Sequence, residues 1–428
     1  MNDLSGLVRP DRVHRRVYSD PAIFVLEMER IFGRDWIYIG HDSQVPQPGD
    51  YLTTRIGTVE VIMIRHRDAT VRVLHNRCPH RGTKICAEHQ GHVKLLTCPY
   101  HAWTFDTDGR LDAIPVKSSY PDYDTRAAGL DMLPVARVNN YRGFVFASLA
   151  ADGPDFDSFM GLMKSSIDDI VDRSPEGAVE VTGGVFRQRC HANWKLVMEN
   201  ANDMLHAGFL HQSAVDAAKA VSTEGYNPPF AAHRVENLRS NGAPLKMLDE
   251  SGTAAFPYGH CFIGGLPRRK RSGEIFERYR AMLVARHGEE RTEQILSVDR
   301  HLNVIYPNLL TNGLFGQLKI IYPVAVNLTD IVAYPVRLKG APPEVFHATI
   351  NFVNNANAAA GLALADDLEI YRRVQEGVAD EAMDWIDFGR GHGLERVDES
   401  GVRMAPGTHE LPMRNQFKAW LQYLTAEA

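Results

Sequence analysis

The chain has 428 residues, 44% apolar and 23% charged, enough length for two cored regions and an ordinary globular composition that argues against disorder. A formal charge of −6 excludes a nucleic-acid surface built on a basic excess, because phosphate neutralisation calls for concentrated Lys and Arg. Five cysteines make no disulfide framework in a chain this long, no stretch approaches the roughly 18 to 20 apolar residues of a membrane span, and the first 13 residues hold no signal-peptide core, so a soluble cytoplasmic protein is expected.

In chain order, Ser19-Asp20-Pro21 reads as a helix start, a capping side chain ahead of proline, and Gly33 as its stop. Residues 51–55 and 59–64, around the turn signal Ile56-Gly57, have β texture, as do 71–74, 94–98 and 143–147. After a loop at 150–157, residues 179–191 read as strand, and 193–211 take on helical character. The later half is expected to alternate strands at 303–306, 318–324, 331–336 and 345–353 with helices at 274–286, 362–375 and 413–424, a grouping that favours the α+β class. The expected organisation is an N-terminal helical segment at 1–39 packing on a catalytic domain at 151–428, with a small β domain at 40–150 inserted ahead of it. The run Arg268-Arg269-Lys270-Arg271 reads as a solvated loop, with docking of an acidic redox partner as the lesser reading.

Two clusters lie among the early strands, Cys78-Pro79-His80-Arg81-Gly82 and Cys98-Pro99-Tyr100-His101. Each offers one thiolate and one imidazole, which suits a [2Fe–2S] centre in which two histidines replace two cysteines on one iron. Zinc accepts the same ligand types but usually pairs like with like, as C-x2-C or H-x3-5-H. Cys86 and His89 form a further C-x2-H pair with His92 just beyond, and these read as core or surface. Downstream, Asp203, His206 and His211 form D-x2-H-x4-H. Two imidazoles and a carboxylate make the facial triad of non-heme Fe(II). From His206 to His211 a regular helix turns through about 140°, so a shared metal requires a bulge, kink or break, with Gly208 the natural place. Spacing leaves the carboxylate open among Asp330, Asp366, Asp367, Asp384 and Asp387.

C-P-H-R-G followed by C-P-Y-H-x-W resembles the Rieske centre of the Rieske non-heme iron oxygenases, and Glu199-Asn200…Asp203-x2-His206-x4-His211 is similar to that family's mononuclear iron motif. The resemblance implies an all-β Rieske domain with Cys78, His80, Cys98 and His101 on its cluster, ahead of a larger helix-grip-like domain of antiparallel sheet plus helices. It implies His206 and His211 as iron ligands, Asn200 as a pocket residue, and Asp203 as the acid that passes electrons between the sites across a subunit boundary. The third ligand falls in a late Asp-Asp pair, matched by Ala365-Asp366-Asp367-Leu368-Glu369, which points to Asp367 with Asp366 in reserve.

The implied activity is that of an oxygenase component hydroxylating an aromatic substrate with O2. Electrons come from NAD(P)H through a separate flavin reductase, with or without a ferredoxin. The segments Asn303 to Leu309, Tyr322-Pro323-Val324 and Val336 to Pro342 resemble large subunits acting on benzoate-, cumate- or terephthalate-like rings, which implies a monocyclic aromatic carboxylic acid, a small beta subunit and a trimer or alpha3beta3 hexamer. Leu309, Leu310, Leu314, Ile320 and Phe352 are the expected pocket walls, with Arg390 on the substrate's carboxylate. The alternatives are a Rieske monooxygenase acting on a quaternary amine or in demethylation, a Rieske electron-transfer protein without oxygenase chemistry, and a zinc-binding module.

Overall fold

The computed structural model describes residues 4–120, 127–223, 242–264, 273–298, 300–358, 361 and 363–426; the basic run at 268–271 lies outside them. They form two compact units, Phe32–Phe156 and Met1–Ile31 with Asp157–Ala428.

The smaller unit is built of short antiparallel strands. Strands β1 (Ile37–His41), β2 (Asp50–Ile56), β3 (Val59–Arg65) and β4 (Val71–His75) are rich in branched and aromatic residues that suit a pleated, half-buried surface. β2 and β3 close as a hairpin with Ile56 opposite Val59, and Gly57 supplies the left-handed turn conformation. The strand expected at 94–98 is only β5 (Leu96–Thr97), which pairs with β6 (Thr104–Phe105). Ile62, Ile64, Leu74, Leu96 and Phe105 form a core that includes the thiols of Cys78 and Cys98.

Early in the larger unit, after two short strands and the single-turn helix Arg16–Ser19, runs helix α1 (Pro21–Glu27), capped by Asp20 accepting from the Ala22 amide at 2.9 Å and continued by a π turn at Met28–Phe32. Its last residue, Glu27, is 0% exposed. The carboxylate accepts from the indoles of Trp194 (2.8 Å) and Trp420 (2.7 Å) and from the Lys195 ammonium. This charge therefore ties α1 to α3 (Trp194–Asn200), which follows α2 (Lys164–Val171) along the chain, and to the C-terminal helix Leu411–Thr425.

The unit's main sheet has ten antiparallel strands. The strand expected at 179–191 is two, β7 (Val179–Val181) and β8 (Phe186–Cys190), interrupted at Gly183-Gly184. Beyond them run β9 (Cys261–Gly264), β10 (Arg300–Ile305), β11 (Leu309–Asn312), β12 (Gln317–Ala325) and β13 (Leu328–Leu338), and both β7 and β8 pair with β13. The strand expected at 345–353 is instead a helix, Pro343–Asn357. Its branched residues suggest β texture, but Phe346, Ile350, Val353 and Asn357 recur at helical spacing behind a proline in the first turn. Phe346 and Ile350 lie over Gly183, where a Cβ would meet the Phe346 ring at 2.7 Å.

Lys195→Met should lower stability by about 3–5 kcal/mol, because Glu27 is left charged and buried without its cation. The shift in denaturant midpoint, read by tryptophan fluorescence, measures it, and Glu27→Gln in the same chain should restore part of the loss.

Candidate metal centres

In the smaller unit the two Cys-His loops share one backbone frame. The Cys78 amide donates to the Thr83 carbonyl and Gly82 donates back to Cys78; likewise Cys98 donates to Trp103 and Ala102 donates back to Cys98. The fourth residue after each cysteine takes a left-handed conformation, Gly82 at φ 73° and Ala102 at φ 55°. On this common frame the histidine sits two residues after the first cysteine and three after the second. The His80 and His101 rings come to 4.8 Å, and Trp103 stacks on His80 at 4.7 Å with 2° between planes. The Nδ1 atoms of both histidines are buried without a hydrogen-bond partner. Two core thiols and two orphaned imidazole nitrogens are the donor set a histidine-ligated [2Fe–2S] cluster takes, so the residues fit the group.

Cys86 is held apart from this set. The Asn76 side chain pairs with the Ile85 and Cys86 backbone, and the Cys86 thiol, which burial pushes up to about 11, meets the Tyr51 hydroxyl. His92 pairs with Asp50 at 2.9 Å.

In the larger unit, Asp203 starts helix α4 (Met204–Leu210), its side chain accepting from the Leu205 amide at 2.8 Å. The interruption required between the histidines falls not at Gly208, which lies within the helix, but at His211 itself (φ −95°, ψ 26°), where α4 ends and α5 (Gln212–Thr223) begins. That break turns His211 toward His206, with ring centroids 5.5 Å apart. The third member comes from α6 (Leu364–Gly377): Asp367 Oδ1 lies 3.3 Å from His211 Nε2 and 3.6 Å from His206 Nε2. One ligand atom from each of these residues falls within 4.8 Å of the others. Asp366 stands outside the trio and accepts from His211 Nδ1 at 3.2 Å. That bond holds the tautomer that leaves Nε2 free for a metal. Burial alone would raise the Asp367 pKa, but the hydrogen bond from His211 and the charges of His206, His211 and Lys319 outweigh it and hold the carboxyl below its usual range. Two imidazoles and one buried carboxylate suit Fe(II).

Asn200 does not stand alone. Its Nδ2 lies 3.4 Å from Asp367 Oδ1, and the Tyr371 hydroxyl donates to its Oδ1 at 2.7 Å, fixing which end of the amide faces the acid. Tyr371 went unpredicted, although it sits four residues after Asp367 on one helix face. Arg390, expected on the substrate's carboxylate, is engaged elsewhere: its guanidinium lies 3.3 Å from Glu410 and 3.6 Å from Asp203. Leu309 and Ile320 oppose each other in the sheet, one position out of step with the directly opposed Leu310 and Lys319. Because side chains alternate, the first pair faces away from the second.

Residues 35–128 match the Rieske [2Fe-2S] domain family, and residues 173–425 match the ring hydroxylating alpha subunit (catalytic domain). The chain belongs to the ring-hydroxylating dioxygenase alpha subunits. It is 32% identical to toluate 1,2-dioxygenase subunit alpha of Pseudomonas putida over 91% of this chain and 84% of that one. It is 38% identical to biphenyl 2,3-dioxygenase subunit alpha of Rhodococcus jostii (strain RHA1) over 99% and 92%. Naphthalene 1,2-dioxygenase from Rhodococcus sp., solved with indole bound, shares the fold at a TM-score of 0.81 and 23% identity over 97% and 95%. As a member of this family the subunit is an enzyme that uses a Rieske cluster and non-heme iron, which removes the zinc and electron-carrier alternatives. Among the described residues no helix is long and apolar enough to cross a membrane.

Tyr371→Phe should weaken iron binding about 10- to 100-fold with the Rieske spectrum unchanged, because it releases the amide that steadies Asp367. Competition with a chelator of known affinity measures it.

Proposed function

We propose that this alpha subunit hydroxylates a monocyclic aromatic carboxylic acid, with His206, His211 and Asp367 holding the iron and Cys78, His80, Cys98 and His101 holding the Rieske cluster. The observation that carries the ligand assignment is the convergence of two imidazoles and one carboxylate from two helices within 4.8 Å. The substrate class is supported by similarity along nine-tenths of the chain to a toluate dioxygenase subunit.

Bound iron supplies oxygen activation, and the Rieske cluster supplies electrons singly. The chain's own residues set the conditions for that chemistry. Asp366 fixes the His211 tautomer, the Tyr371–Asn200 pair steadies the Asp367 oxygen that faces both histidines, and burial of His211 and Asp367 limits water around them. Asp203, at the head of the helix that carries His206, links the site to a Rieske histidine of a neighbouring copy, so assembly into a trimer, or a hexamer with a small beta subunit, is part of the mechanism. Electrons reach the protein from cytoplasmic NAD(P)H through a flavin reductase, with a ferredoxin between them where the system has one.

Metal analysis should find about three irons and two acid-labile sulfides per chain. With a reductase, benzoate-type acids should give ring-hydroxylated products carrying oxygen from O2, detected by mass spectrometry. Oxidation of amines or neutral arenes alone would sink the acid assignment. Asparagine caps helices as well as aspartate does. Asp203→Asn should therefore keep both metals and the fold while NAD(P)H-coupled turnover falls by at least about 100-fold, the scale of a lost charged positioning group; unchanged turnover would place the electron path elsewhere.

A further inference from the structure

Strand β12 runs through the sheet between β11 and β13. Lys319 stands directly opposite Leu310 on one neighbour and Ala333 on the other, and the same row continues through Val304 to Cys261. Directly opposed residues share a face. The Cys261 thiol on that face meets the Asn202 side chain, within the segment that joins Asn200 to Asp203, and α3 packs against β12. Lys319 therefore rises from the sheet on the side that carries the candidate iron site. The reverse side, where Asn303 meets Ser166 of α2 at 3.0 Å, holds Leu309 and Ile320.

The Lys319 side chain is half-buried, and among the described residues its ammonium has no hydrogen bond and no ion pair. Burial pushes its pKa below the ordinary lysine value, and the Asp367 charge opposes that shift. Two residues back on the same face, Gln317 is buried and its Nε2 has no partner. A partly desolvated ammonium on the same face as an unmatched buried amide donor is costly unless an acceptor arrives. The charge balance points the same way: a divalent iron with two neutral histidines would be offset by the Asp367 and Asp366 carboxylates, and Lys319 leaves the site with a net positive charge. An anion completes such a site, whereas a quaternary amine meets repulsion.

We propose that Lys319 anchors the carboxylate of the aromatic substrate and so sets the preference for acids over neutral arenes, a refinement that rests on the aromatic-acid reading above. The ammonium fixes one end of the substrate by a charge-assisted bond, and the ring is held over toward Asp367.

The test is anaerobic binding of benzoate and of toluene by calorimetry to the metal-loaded wild-type protein and to Lys319→Met, Lys319→Gln and Lys319→Arg, with iron content and the Rieske spectrum recorded for each. Benzoate affinity should fall about 10- to 100-fold in the Met and Gln variants and stay within about tenfold in the Arg variant, the range a charge-assisted hydrogen bond supplies. Toluene affinity should hold or rise. Unchanged benzoate affinity in Lys319→Met overturns the assignment alone. Equal losses for toluene, or loss of iron in both neutral variants, also overturn it by showing a structural role. Wild-type protein that takes toluene and refuses benzoate sinks the aromatic-acid reading and this assignment with it.

Discussion

A single buried carboxylate sets the frame of the larger unit. Glu27 has given up its water entirely, and two indoles and one ammonium surround its carboxylate in place of it. Those donors come from residues 194, 195 and 420, so α1 and the C-terminal helix are pulled onto α3 from opposite ends of the chain. A second carboxylate lies one turn along α3: burial outweighs the opposing pull of Tyr18, Lys195 and Gln416 and leaves Glu199 raised to about 8. The next residue is Asn200, which reaches Asp367. Fixing α3 by charge therefore fixes the starting point of the segment that bears both histidines.

Both candidate centres place their donors where regular backbone stops. In the smaller unit the second loop is the tip of the β5–β6 hairpin, and in the larger one His211 occupies the junction of two helices. Continuous helix would have sent His206 and His211 to different faces, and a continued strand would have buried Cys98 and His101 on opposite sides. The interruption costs backbone hydrogen bonds, but it lets two residues close in sequence aim at one point.

The spacing of His206 and His211 is weak by itself and drew its weight from the family resemblance, whereas side-chain chemistry made the candidate Cys-His donors legible in the sequence. Strands 59–64 and 331–336 were equally plain, because their branched runs are long and flanked by turn signals. Three features lay out of reach for separate reasons. The helix at 343–357 carries β-branched residues whose packing over Gly183 overrides their local preference. The place of the break near His211 depends on α6 supplying Asp367 from far along the chain, a tertiary demand that no local window contains. Arg390 and Lys319 are both cations; only the fold shows that one is already satisfied by Asp203 and Glu410 while the other lacks a partner.

The twin cysteine loops differ in one small respect, the residue that holds the left-handed turn. Gly82 adopts its left-handed conformation freely, whereas Ala102 holds the same conformation against a steric penalty of about 1–2 kcal/mol. The second loop therefore keeps its shape at a local cost that its twin does not carry. Glycine at 102 would lift that penalty without touching a candidate donor, so the second loop holds in reserve a stabilisation the first already has.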